Sequence, residues 1–217
     1  MSVSFALSRR GVARPGAIMN AVFFVIVLMF LGGLPKASGM SNHTGSELVN
    51  AIAKRPELSK FLLSLQSARI LARLQGDAAK GVTVLAPTDE AFHELGSDLM
   101  TCLLSEPAVN DVMTQILLYH IIPGQVLSFQ DLKSPILTFL TTASGLQLPI
   151  EYVETRNEVV IDYTAWISRP GAIQATNATV HYISAVLIPP TIEGTLIVEC
   201  GAQTEQLPAP PSAVPGL

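Results

Sequence analysis

Residue types that commonly do chemistry in proteins are few in this chain and widely spaced. The histidines are His43, His93, His120 and His181, and the cysteines are Cys102 and Cys200. No pair among them has the H-E-x-x-H or C-x-x-C spacing that places two ligands on one zinc ion. The chain also lacks a G-x-S-x-G nucleophile elbow and a Gly-rich phosphate loop. We therefore predict a protein that is not an enzyme and that has no catalytic residue, metal site or cofactor.

Two adjacent carboxylates, Asp89 and Glu90, could be imagined as an acid–base pair. They follow Pro87, which ends a strand, and Thr88, whose hydroxyl can cap a helix. Consecutive residues of a helix point in different directions, so the two carboxylates would not face each other. We interpret them as negative charges at the positive end of a helix dipole.

His120 and His181 have a structural interpretation as well as a chemical one. A neutral imidazole donates one hydrogen bond and accepts another, so each ring can hold backbone groups at a helix end or a strand. A metal-binding or catalytic role is the alternative.

Cys102 and Cys200 are the only cysteines. In an oxidising compartment an even count favours pairing. A disulfide closing a loop of about 100 residues contributes about 4.7 kcal/mol in the chain-entropy model. Free thiols and an intermolecular bond are the alternatives.

The pattern of apolar residues changes from helical to strand-like along the chain. Leu58, Phe61, Leu62 and Leu65 repeat at helical spacing, and a short strand at Val82–Leu85 interrupts the helices. Beyond Pro123–Gly124 the period becomes two, which predicts strands near 136–141, 146–153, 159–164 and 179–188, with a loop at Pro170–Gly171. Helices first and strands later indicate an α+β domain.

Three segments of this pattern resemble the signature segments of the fasciclin domain, an extracellular adhesion module. They are TVLAPTDEAF (83–92), LLYHIIPGQVLS (117–128) and NATVHYISAVLIPP (177–190), in the same order and with similar spacing. The resemblance covers roughly residues 44–191. It implies a fasciclin fold, which is a wedge-like β-sandwich with N-terminal and central helices packed along one edge.

The resemblance also suggests interaction residues. Tyr119 and His120 match a Tyr-His pair implicated in adhesion, and Ile173 matches the second residue of an Asp-Ile dipeptide. The pair could equally be buried, in which case it serves packing. Because Ala172 replaces the aspartate, no carboxylate is available there for an integrin metal ion, which argues against animal-type integrin binding.

Two sequons, at Asn42 and Asn177, predict N-glycosylation. We expect Asn42 in a mobile N-terminal segment. Asn177 lies where the family usually has Asn-Gly in a turn, and a bare turn asparagine is the alternative there. Because Ala178 tolerates positive φ poorly, we expect altered turn geometry at this position.

The first 39 residues have the layout of a signal peptide. Arg9, Arg10 and Arg14 precede a 14-residue apolar run at 21–34, and small residues follow up to Gly39, where we expect cleavage. An uncleaved anchor and an organelle transit peptide are the alternatives. We thus expect a short segment at 40–43, the domain at 44–191, and an extension at 192–217 with a Pro-rich tail that lacks the apolar stretch of a lipid-anchor signal.

The charge balance narrows the class of partner. The chain has 13 basic and 17 acidic side chains, and four of the basic ones precede the first acidic residue, Glu47. After removal of the signal segment the net charge is about −8, which argues against nucleic acid.

These features together predict a secreted, extracellular, non-catalytic module for cell adhesion or matrix interaction. Its partner would be an extracellular protein, a matrix polysaccharide or a second copy of itself. A carrier that encloses a small apolar ligand in a pocket of the sandwich is the alternative function.

Overall fold

A computed structural model of the protein describes residues 40–201, with side chains from residue 45 onward. The predicted signal segment and the Pro-rich tail lie outside these residues. Among the residues described, no helix is both long enough and apolar enough to span a bilayer.

Eight helices are present in the described residues, most of them in the first half of the chain. They are α1 Met40–Ala53, α2 Ser59–Ser67, α3 Leu71–Ala78, α4 Asp89–Glu94, α5 Ser97–Leu103, α6 Ala108–Tyr119, α7 Phe129–Leu132 and α8 Glu193–Cys200. The Thr88 hydroxyl caps α4 by accepting from the Ala91 N–H at 3.4 Å, as predicted for this helix start. Residues 40–43, expected as a segment before the domain, form the first turn of α1.

Seven strands form one sheet in the order β2-β1-β7-β6-β5-β4-β3. They are β1 Val82–Pro87, β2 Ile121–Pro123, β3 Phe139–Thr141, β4 Gln147–Val153, β5 Glu158–Ile161, β6 Ala165–Ala175 and β7 Ala178–Ile183. β1 runs parallel to β7, and the other pairs are antiparallel. The predicted α+β class is confirmed.

The strand prediction missed β6 and β2, and it placed a loop inside the residues that form β6. β6 continues through Pro170–Gly171, where we predicted a loop. The strand is not interrupted there because its register with β7 shifts twice and so forms a bulge. A bulge tolerates Pro170, which has no N–H for the ladder, and lets Gly171 adopt φ +55°. The short strand β2 was not predicted, since its three residues show no alternation.

Two hydrophobic cores share the central strands. Successive residues of a strand point to opposite faces, so Val84 of β1 packs into the first core, against the helices, while Leu85 packs into the second. The second core also contains Leu148 and Ile161 from the far end of the sheet. The sheet therefore folds over on itself and forms the predicted sandwich, with the helices on the other side of β1 and β7.

A disulfide attaches the last helix to the helical layer. Cys102 of α5 and Cys200 of α8 are bonded, with their Cα atoms 5.6 Å apart. Leu196 of α8 is fully buried in the first core, so α8 is also held by packing.

We expect the double variant Cys102→Ser, Cys200→Ser to fold but to lose about 2–4 kcal/mol of unfolding free energy, because the bond restricts a long loop in the unfolded chain. Urea unfolding measures the loss. The unfolding free energy of the wild type should fall by a similar amount when a reductant is added, whereas that of the variant should not change. Equal changes in both proteins would contradict a disulfide between Cys102 and Cys200.

Candidate functional site

The three signature segments meet at the centre of the fold. β1 belongs to the first segment, β2 to the second and β7 to the third, and β1 is hydrogen-bonded to both of the others. Thr83 of β1 lies opposite Ile122 on one side and Thr179 on the other. The segments that carry the family resemblance are therefore neighbours in space.

Thr83 fixes the loop that follows β2. Its buried hydroxyl donates to the Gln125 carbonyl at 2.9 Å and accepts from the Leu127 N–H at 2.8 Å. Two backbone groups of an irregular loop thus obtain partners away from water, which such groups require.

His181 joins this loop to the bulge of β6. Three residues of β6, at 170–172, lie opposite His181 alone. The His181 Nδ1 accepts from the Gly171 N–H at 3.0 Å, so its Nε2 carries the proton and donates to the Leu127 carbonyl at 2.9 Å. Burial lowers the pKa of His181, although the bond to Leu127 acts in the opposite direction. The neutral ring therefore supplies the partners that the bulge and the loop would otherwise lack.

His120 makes a similar pair of bonds at the end of α6. Its Nε2 accepts from the Leu187 N–H at 3.0 Å, so Nδ1 is protonated and donates to the Ile116 carbonyl at 2.8 Å. The side chain is fully buried, and this burial lowers its pKa to about 4. Both ring nitrogens of both histidines are occupied, which favours the structural interpretation. Within residues 40–201, no three His, Cys, Asp or Glu side chains converge on a possible metal position.

Tyr119 lies in the second core with 1% of its surface exposed. Its hydroxyl donates a long hydrogen bond of 3.5 Å to the Gln147 carbonyl of β4, and it also interacts with the carboxyl group of Asp162 in the β5–β6 turn. Burial raises the pKa of Tyr119 and raises that of Asp162 to about 6. Tyr119 therefore connects the second signature segment to the far hairpin of the sheet.

None of the three suggested interaction residues faces solvent. Tyr119 and His120 are buried as described, and Ile173 is 4% exposed opposite Val180 of β7. These positions favour packing over direct contact with a partner. The neighbouring Ala172 is partly buried, and its carbonyl accepts a long bond of 3.5 Å from Arg55.

The sequons differ in what the structure shows of them. Asn177 is exposed in the short turn between β6 and β7, and its amide reaches the Ala79 carbonyl at 3.5 Å. Ala178 does not adopt positive φ, and it begins β7 as the partner of Ala175. Asn42 lies in the first turn of α1 and not in a separate segment, and its side chain lies outside the described part.

An exposed apolar surface escaped the sequence prediction. The pairs Glu151 with Val160, and Val160 with Trp166, place these residues in one row on the solvent side of β4–β6. Phe139 of β3 points the same way, because its neighbour Leu140 points into the second core. We call this surface the outer strand face. The alternation Ala165-Trp166-Ile167, with the largest residue outward, was a signal that could have revealed it.

Two of the surface depressions bear on function. One, of about 380 Å³, lies beside Trp166 and is lined also by Arg156, Glu158 and Tyr163. A second, of about 510 Å³, lies between α4 and α5 and includes Phe92.

We expect Tyr119→Ala to lower the unfolding free energy by about 3–5 kcal/mol, because a large buried ring is lost. Tyr119→Phe should cost about 1–3 kcal/mol, since the hydroxyl loses its bond to Gln147 and its interaction with Asp162. Urea unfolding measures both. If the folded Tyr119→Phe protein kept its stability but lost binding to cells, the packing interpretation would fail.

The pKa values of His120 and Asp162 predict opposite effects of acid. The folded pKa of His120 is depressed to about 4, so its stabilising contribution is present above pH 6.5 and is lost toward pH 4, by about 3 kcal/mol. The folded pKa of Asp162 is raised to about 6, so its contribution is largest at low pH and is lost as the pH rises through 6.

Asp162→Asn removes the titrating carboxyl group, whose contribution to stability in acid opposes the loss from His120. Asparagine also tolerates the positive φ of this position. We expect stability to fall more steeply between pH 6.5 and pH 4 in this variant than in the wild type. Urea unfolding at pH 7, 5.5 and 4 measures both slopes, and a shallower slope in the variant would contradict the prediction.

Comparison with known proteins agrees with the resemblance. The chain is 24% identical over 196 residues to fasciclin-like arabinogalactan protein 11 of Arabidopsis thaliana, covering 83% of this chain and 74% of that protein. It is 24% identical over 143 residues to protein sll1483 of Synechocystis sp., covering 66% and 73% respectively.

Among solved structures, a FAS1 domain pair from the insect cell adhesion molecule fasciclin I matches with a TM-score of 0.47 and 23% identity, covering 62% of this chain. This chain spans 46% of that chain's length. Residues 56–189 match the family model of the fasciclin domain. Because these residues are more than half of the chain, the protein belongs to the fasciclin domain family, which is associated with cell adhesion and extracellular-matrix roles.

Proposed function

We propose that this protein is a secreted, non-catalytic module that mediates cell adhesion or matrix interaction through its surface. The observation that carries the proposal is the outer strand face. Phe139 and Trp166 on this face are 53% and 49% exposed, and Ile136, three residues before Phe139 in the chain, is 90% exposed. Large apolar side chains grouped on one surface typically mark an interaction site.

Secretion is supported by the disulfide between Cys102 and Cys200, since such bonds persist in oxidising compartments. We propose a signal segment at 1–39, the adhesion domain at 44–191, an extension at 192–217, and glycans on Asn42 and Asn177. The exposed position of Asn177 supports its modification.

The proposed partner is an extracellular protein, a matrix polysaccharide or a second copy of this chain. Integrin binding at the family's Asp-Ile position is disfavoured, because Ala172 has no carboxylate and Ile173 is buried.

The alternative is a carrier of a small apolar ligand. The depression beside Phe92 supports it, since Met100 and Leu104 also line that surface. We rank it second because the sandwich interior, where a carrier would enclose its ligand, is packed with side chains such as Leu148 and Ile161.

To test the adhesion proposal, the secreted full-length protein is applied to cells, to immobilised matrix polymers and to itself. We expect binding to at least one of these. The double variant Ile136→Ser, Phe139→Ser should bind at least tenfold more weakly, because it removes exposed apolar area from the outer strand face and from the segment that leads into β3.

The matched control is Leu63→Ser, which removes a side chain of similar exposure, 48%, from α2 in the helical layer. It should bind like the wild type. A protein that binds none of the three surfaces, or equal losses in both variants, would overturn the proposal.

A further inference from the structure

The depression beside Trp166 combines features of a sugar-binding site. It holds about 380 Å³, and its rim includes two aromatic rings, Tyr163 at 51% and Trp166 at 49% exposure. A pyranose ring has an apolar face of C–H groups and a rim of hydroxyls. A flat aromatic side chain can stack on the apolar face, while neighbouring polar side chains bind the hydroxyls.

Polar groups stand next to these rings. The Arg156 guanidinium is paired with the Glu158 carboxylate at 2.8 Å, and both side chains remain partly exposed. Thr164 also lines the depression, and its hydroxyl oxygen is buried beneath the surface without a hydrogen-bond partner.

The turn that presents Tyr163 is held in an uncommon conformation. Asp162 and Tyr163 have φ values of +52° and +59°, although neither is glycine. The Asp162 N–H donates to the Pro149 carbonyl at 2.9 Å, and its carboxyl group interacts with the hydroxyl of the buried Tyr119. The turn is thus fixed from the core before any ligand arrives, which reduces the entropic cost of binding.

The charges around the depression select among sugars. Arg156 and Glu158 neutralise each other, and Glu151 adds a negative charge on the same face, opposite Val160. A polyanion would be repelled by this carboxylate, and the one cation among the residues that line the depression, Arg156, is already paired. A neutral saccharide meets no such penalty.

We propose that this depression binds a sugar unit of a neutral polysaccharide, with Trp166 stacked on the sugar ring and with Arg156 and Glu158 binding its hydroxyls. The inference rests on the proposed function, since it names a matrix polysaccharide as the partner and gives its place on the protein.

Trp166 is the only tryptophan of the chain, so its fluorescence reports directly on this site. The secreted full-length protein is titrated with the neutral hexaoses of β-1,4-linked glucose, galactose and mannose, and with hexagalacturonate as the acidic comparator. We expect at least one neutral hexaose to shift the emission saturably and hexagalacturonate to bind at least tenfold more weakly.

Calorimetry then compares variants with the hexaose that binds. Trp166→Ala should lose at least tenfold in affinity, Trp166→Phe should lose less, and Arg156→Gln should lose several-fold. Leu63→Ala is the matched control, because it removes an apolar side chain of similar exposure, 48%, from α2 in the helical layer, outside both the depression and the outer strand face. Urea unfolding checks that each variant remains folded.

No emission change with any neutral hexaose, or an unchanged affinity in Trp166→Ala, would overturn the inference. If adhesion still depends on the outer strand face in that case, the partner is a protein and only the sugar site fails. If neutral sugar binds but the protein adheres to no surface, the sugar site stands and the proposed adhesion function fails.

Discussion

The fold depends on the complete burial of β1. All six of its residues are buried, both of its edges are hydrogen-bonded, and its two faces supply the two cores. Water cannot reach the backbone N–H and C=O groups of a strand buried in this way, so these groups must be hydrogen-bonded to β2 and β7. This requirement brings together three segments that are far apart in the sequence.

The two buried histidines complete what the strand pairing leaves open. The neutral ring of His181 bonds to backbone groups of the β6 bulge and of the loop after β2. The ring of His120 bonds in the same way to Ile116 near the end of α6 and to Leu187. Because burial favours the neutral form, each ring keeps one donor and one acceptor at neutral pH. Residue types often associated with catalysis are here used to hold the chain together.

The residues that the family resemblance suggested for adhesion and the exposed aromatic residues lie in different parts of the molecule. The Tyr-His pair suggested for adhesion is inside, whereas Phe139 and Trp166 are exposed on the outer strand face. The helices cover one side of the central strands, and the folded-over sheet presents its outer side to solvent. A partner would therefore meet the β3–β6 part of the sheet and not the segments that define the family.

The sequence by itself determined the α+β class, the helix cap at Thr88 and the family, because these follow from local periodicity, turn chemistry and ordered motifs. It could not show that β6 passes through Pro170–Gly171, since that bulge exists only opposite His181 of another strand. Nor could it decide that Tyr119 is buried while Trp166 is exposed. Both are large aromatic residues in apolar surroundings, and which face of a strand or helix is covered depends on neighbours that only the tertiary fold supplies.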